Sequence, residues 1–268
     1  CAGGIDPVSA GVVADGQVFS IQATGSVSWY GDRTNLSGPD GVLAPQPDFL
    51  APSLTGISLV ARIGNGPWQF IGSGPTMIGG PGSSGLLQLA VNDSFYGSRD
   101  GFDESNTGGF NVTVTRVVTV VGPAGGSGGS SFGPVDCPAG SVVVGFQGRA
   151  GQDIDQTSIM CASLPSLTGT GTFLAQAGGG GTDYGATLSC GAGQVVTGVF
   201  GEVRSPGYID RLGVTCTPLA GGASANLGPV AAYDGGTPFA LACPGSKKVV
   251  GIEGRDGALM DQISIRCQ

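Results

Sequence analysis

The chain has 268 residues, a net charge of −8 from 11 basic and 19 acidic side chains, no histidine, and 53 glycines. That balance leaves no basic face for nucleic acid. The lack of histidine removes the commonest general base and the usual activator of a serine or cysteine nucleophile. No apolar run approaches the roughly 18 residues of a membrane span. Glycine is far above its usual share of roughly 7%, yet it is interleaved with Val/Ile/Phe alternation, which argues for a packed all-β protein rich in tight turns.

Cys1 stands apart from the other six cysteines. A chain that opens on cysteine is expected to carry a lipid there, as a processed bacterial lipoprotein does, or to crosslink subunits through a disulfide. An arbitrary chain boundary is the bland alternative. Residues 1–120 contain no repeat and no further cysteine. Alternating segments within them, "GQVFSIQATGSVSWYG", "SLTGISLVARIG", "GLLQLAVND" and "GFNVTVTRVVTVVG", read as strands of a β-sandwich separated by Gly/Pro/Ser/Asp loops.

A repeat fills residues 121–268, with units at approximately 121–168, 174–220 and 228–268. Cys137, Cys190 and Cys243 recur every 53 residues, each followed by a partner, Cys161, Cys216 and Cys267, at offsets of 24, 26 and 24. Six cysteines allow 15 connectivities, but equivalent units should close alike, giving Cys137–Cys161, Cys190–Cys216 and Cys243–Cys267. Paired cysteines fit an oxidising compartment, extracellular or at the cell surface. Zinc is disfavoured, since no pair has the short spacing of a metal knuckle. An aspartate precedes each second cysteine by six residues: Asp155, Asp210 and Asp261. A glycine cluster also precedes each unit, and three strands are expected per unit, the first opened by that cluster. Three such sheets about a pseudo-threefold axis would make a β-prism with one disulfide per repeat.

The C-P-x-G start, V-x-G-x-x-G middle and I-x-x-C end of these units resemble the β-prism of vitelline membrane outer layer proteins. The pairing of a Gly-Gly loop with a G-x-x-x-D turn also resembles jacalin-type lectins. In those lectins the turn binds sugar through backbone N–H groups and the aspartate carboxylate, with a further amide from the loop. The resemblance implies sugar contacts at Gly129, Gly151, Asp153 and Asp155 in the first unit's loop and turn, and at Gly236, Gly257 and Asp261 in the third unit's. The second turn, "RSPGYID", has two extra residues and Pro206 in place of the leading glycine. Only Asp210 keeps register there, and Tyr208 is placed to stack on a pyranose face. Asp before a strand is otherwise a common turn former.

"SLVARIGNGPWQFIGSG", "GLLQLAVNDS" and "SNTGGFNVTVTRV" resemble bacterial calcium-dependent galactose-binding lectin domains over roughly residues 15–118. The resemblance implies Ca²⁺ held by the Tyr30 carbonyl, Asp93 and Asn106, completed by vicinal sugar hydroxyls. Ser105 stands where a second amide or acid is expected, so Asp100, Asp103 or Glu104 would have to substitute. Asp40 falls near a sugar-contacting position. Trp29, Trp68, Phe95, Tyr96, Tyr184, Tyr208 and Tyr233 are further candidates for stacking, although aromatics in sandwiches are more often packing residues.

Nothing singles out a carboxylate pair of the glycosidase kind. The sequence thus reads as a secreted or surface-anchored protein that binds glycans without turnover. The alternative is a structural subunit of an extracellular coat, matrix or filament, its low-charge surfaces packing on further copies of itself.

Overall fold

The computed structural model describes residues 7–29, 34–94, 106–167, 172–174, 181–184, 188–231 and 235–268. The chain forms two compact units that divide between Val117 and Val118, where the sequence reading set the boundary near residue 120. The segment expected as one strand, "GFNVTVTRVVTVVG", is two strands, one in each unit.

The first unit is a sandwich of β1 (Val8–Val13), β2 (Val18–Ser28), β3 (Leu36–Ser37), β4 (Leu59–Ile63), β5 (Gln69–Phe70), β6 (Thr76–Gly79), β7 (Gly85–Val91) and β8 (Thr107–Arg116). One sheet runs β1-β7-β4-β5; in the other, β2 pairs with β8 along one edge and with β3 and β6 along the other. Period-two alternation sends Phe19, Ile21 and Ala23 of β2 inward and leaves Gln22 and Thr24 exposed. Leu59, Ala61 and Ile63 of β4 and Leu87 and Leu89 of β7 meet them from the facing sheet. Each fully buried aliphatic side chain of this size contributes about 1.5–3 kcal/mol.

The second unit contains β9 (Thr119–Gly125), β10 (Ser130–Asp136), β11 (Ser141–Ala150), β12 (Ile154–Ser163), β13 (Thr172–Leu174), β14 (Thr182–Asp183), β15 (Leu188–Ser189), β16 (Gln194–Arg204), β17 (Tyr208–Pro218), β18 (Ala225–Val230), β19 (Thr237–Ala242), β20 (Val249–Asp256) and β21 (Met260–Cys267). Three hairpins, β11/β12, β16/β17 and β20/β21, each form the centre of an antiparallel sheet. All three sheets feed one core through residues such as Phe146, Ile159, Val199, Leu212, Ile252 and Ile263. The architecture is a β-prism, and the whole chain is all-β among the described residues.

The sheets are not the sequence units. The strands before Cys190 and Cys243 leave their own hairpins and pair with the preceding ones. β14 and β15 edge β11, and β19 edges β16. The third hairpin is flanked instead by β9 and β10, from the start of the unit, in the order β10-β20-β21-β9. The start and end of the unit are therefore locked in one sheet. Expecting one sheet per unit fails because a local strand pattern does not specify which of three similar hairpins a strand will join.

The expected cysteine pairs all form, and this exchange of strands makes each of them span two sheets. Cys137 follows β10, its N–H donating to Val250 of the third hairpin at 2.7 Å, while Cys161 lies in β12 of the first. Cys190 is likewise bonded to Val144 of the first hairpin and crosslinked to Cys216 in the second. Cys243 bonds Thr197 of the second and is crosslinked to Cys267 in the third. The three bridges close a ring around the prism. One valine from each hairpin, Val142, Val195 and Val250, forms a small separate apolar cluster.

The glycines at the end of each V-x-G-x-x-G stretch are steric necessities. A Cβ on Gly148, Gly201 or Gly254 would run into the carbonyl oxygen of Gln156, Arg211 or Gln262 on the paired strand. It would also crowd the Tyr184 hydroxyl, the Phe239 ring or the Phe132 ring.

Candidate functional site

Each hairpin turn of the prism carries its aspartate, and the exchange of strands brings the next unit's glycine loop over it. A Cβ on Gly181 would collide with the Asp155 carboxylate, and one on Gly236 would stand 2.6 Å from Asp210 Oδ2. In the third turn, a Cβ on Gly128 would collide with Asp261 Oδ1, and one on Gly129 would stand 2.5 Å from Asp261 Oδ2. Only glycine permits this approach of backbone to carboxylate. Gly129, counted with the first unit in the sequence, thus serves the third turn, and Gly236 serves the second. Gly151 lies 3.6 Å from Asp155 and Gly257 3.8 Å from Asp261, both by the same Cβ measure. Gly181 was missed as a site residue. Its signal is the glycine run ahead of Cys190, which the repeat counts with the second unit.

The third turn is the best defined. The Gly128 and Gly129 carbonyls accept hydrogen bonds from Arg255 Nε and Nη2, both at 2.7 Å, and Arg255 Nη1 reaches Ser131 Oγ at 3.0 Å. Gly126 donates to the carbonyls of Asp261 and Gly207, both at 2.8 Å. The Gly128 and Gly129 amides, on exposed residues, donate to no described residue. Asp261 is 6% exposed, and its carboxylate accepts no hydrogen bond from a described residue. Burial pushes its carboxyl above the usual carboxylate range, opposed by Arg255 and assisted by Asp256.

The other two turns differ. Asp155 is half-buried beside Gly181. Asp153 is buried and its carboxylate is ion-paired to Arg204 of the second hairpin, which directs it along the protein rather than outward. Asp210 is wholly buried, with both oxygens shielded and neither hydrogen-bonded to a described side chain. Burial raises its pKa, and the nearby Glu202 and Asp153 add to the rise. Tyr208 is half-buried at the start of β17.

In the first unit, Asp93 and Asn106 do come together. Asn106 Nδ2 donates to Asp93 Oδ2 at 2.8 Å, and the Ser94 N–H donates to Oδ1 at 2.7 Å. Tyr30, Asp100, Asp103, Glu104 and Ser105 lie outside the described residues, as do Cys1, Phe95, Tyr96 and Tyr233. Among the described residues no three acidic or cysteine side chains gather to hold a metal. Calcium needs six to eight oxygens, and the described residues supply only this fragment, both of whose Asp93 oxygens already accept hydrogen bonds. Asp40 is exposed, and its Oδ1 accepts from the Ser73 N–H and hydroxyl at 2.8 and 3.1 Å. Trp68 stacks under the Arg62 guanidinium, 4.6 Å from its ring centre. No described helix is long and apolar enough to cross a membrane.

No family model matches the chain, and no curated protein matches it. Among solved structures it is similar to a wild-type Malaysian banana lectin, 24% identical over 57% of this chain and 99% of that one, with a TM-score of 0.44. A mannose-binding jacalin-related lectin from Ananas comosus matches at 20% identity over 56% and 97%, TM-score 0.43. A mannose-specific jacalin-related lectin from Morus nigra, solved with mannose, matches at 18% over 56% and 94%, TM-score 0.43.

Proposed function

We propose that the prism is a carbohydrate-binding module that takes a pyranose through vicinal hydroxyls at its aspartate turns, foremost the third. The observation that carries this reading is the third turn. Among the described residues, a carboxylate that accepts no hydrogen bond there sits against two glycines whose amides find no acceptor and whose carbonyls are tied back by Arg255. A carboxylate accepts two hydroxyl hydrogens at once, and backbone amides donate to the hydroxyl oxygens, so the pair suits an uncharged polyol. No bond is made or broken in such binding. Three disulfides support an oxidising, extracytoplasmic setting.

A glycan array followed by titration with the best hit tests the reading, with Asp261→Asn as the comparison. Losing the charged acceptor should weaken binding about 10- to 100-fold, the equivalent of about 1.5–3 kcal/mol for a hydrogen bond to a charged group. Chelator should leave prism binding intact, and chelator-sensitive binding lost in Asp93→Ala would instead support calcium in the sandwich. Absence of binding to any glycan, with assembly of the chain in solution, favours the structural-subunit alternative.

A further inference from the structure

Hydrogen bonding sets the second turn apart from the third. The residue after the last glycine of the V-x-G-x-x-G stretch is Arg149, Glu202 or Arg255. It occupies the same place in all three hairpins, at a register shift just before the turn. Such bulges re-aim the side chain they carry. In the third hairpin the cation of Arg255 grips the loop carbonyls, and the Gly128 and Gly129 amides donate to no described residue. In the second hairpin the anion of Glu202 does the reverse. Glu202 Oε2 accepts from the Gly235 and Gly236 amides at 3.2 and 3.1 Å, and Oε1 faces Arg211 at 3.5 Å. A carboxylate of the protein thus holds the loop amides that a ligand oxygen would use.

Two further observations agree. Asp210, the acceptor of that turn, is wholly shielded, whereas Asp155 is half-buried and Asp261 retains some exposure. The two-residue insertion that removes the leading glycine carries Gly207, whose carbonyl accepts the Gly126 N–H at 2.8 Å. The second turn therefore braces the glycine loop of the third.

We propose that the second turn is a site shut by Glu202, and that the sign of the side chain at this one repeat position decides whether a turn admits sugar. Arg255 marks the open third turn, and Arg149 puts the same charge at the corresponding position of the first. The inference rests on the reading of the prism as a glycan binder and fixes which of its turns are used. The ligand class is unchanged: a neutral pyranose with adjacent hydroxyls.

The test is a backbone amide NMR titration of the full chain with methyl α-mannoside and methyl α-galactoside, which differ in hydroxyl orientation. In the wild type the Gly128 and Gly129 resonances should shift, while those of Gly235 and Gly236 stay fixed. In Glu202→Ala, Gly235 and Gly236 should shift as well. Glu202→Gln, which keeps the side chain's size, should move in the same direction. Arg255→Glu should weaken the Gly128 and Gly129 response by about tenfold or more, as loss of a charge-assisted clamp implies. Without sugar, Glu202→Ala should also speed hydrogen exchange at Gly235 and Gly236. Shifts at Gly235 and Gly236 in the wild type overturn the inference. So does their silence in both Glu202 variants while Gly128 and Gly129 respond. Silence of both loops in every protein overturns the glycan reading and this inference with it, an outcome set apart by the unresponsive third turn.

Discussion

Removing one bridge of the disulfide ring should cost the prism a defined amount. The bridges close segments of 24, 26 and 24 residues. The chain-entropy relation assigns each about 3.5 kcal/mol at 25 °C, with differences below about 0.1 kcal/mol between them. Cys190→Ala/Cys216→Ala is the informative pair, because it unties the first sheet from the second while leaving the ring's other two links. At an m-value of about 2 kcal/mol/M the urea midpoint should fall by a little under about 2 M. Far-UV circular dichroism reads the loss. Trp29 and Trp68 both belong to the first unit, so tryptophan emission is an internal control whose midpoint should not move. The same experiment on the other two pairs should give the same shift. A shift under about 0.5 M, or three widely unequal shifts, would refute the view that the bridges act as equivalent links restricting the unfolded chain.

Burial raises the Asp210 pKa, so the folded state holds that proton over a range in which the unfolded chain has lost it. The stability it contributes is complete below the ordinary value of 3.8 and is lost as pH rises through the raised one. Asp210→Asn should accordingly match the wild type near pH 3 and gain on it by pH 7, as read from urea midpoints; equal midpoints at both pH values would contradict the assignment. In the first unit, the Asn92 side chain accepts from Ala51 N and donates to the carbonyls of Ala51, Leu54 and Thr55, at 2.8–3.1 Å. Asn92→Ala strands those buried backbone groups and should cost about 3 kcal/mol, visible in tryptophan emission and absent from the prism transition.

Much of the fold was legible because its signals are local. The alternation through β2 and β7 fixed which side chains face the sandwich core, since one pleat period decides the face. Equal cysteine spacing selected one connectivity from 15, and the structure forms that pairing. The aspartate turns were also located. Their inequality was harder to see: Asp153 reads like part of a sugar turn but pairs with Arg204, and Glu202 drew no attention because its partners, Gly235 and Gly236, are more than thirty residues away.

The sequence alone therefore determined that this is an all-β chain, a sandwich followed by three crosslinked hairpins, each with a carboxylate at its turn. Only the tertiary structure decided which glycine loop covers which turn. Strand alternation specifies a face but not a partner, and three hairpins of near-identical text offer almost equivalent edges. Closure around the common core selects among them. It hands the later loops to the preceding hairpin and the first loop to the third, makes the bridges run between sheets, and sets an anion at one loop where its counterpart at another is a cation.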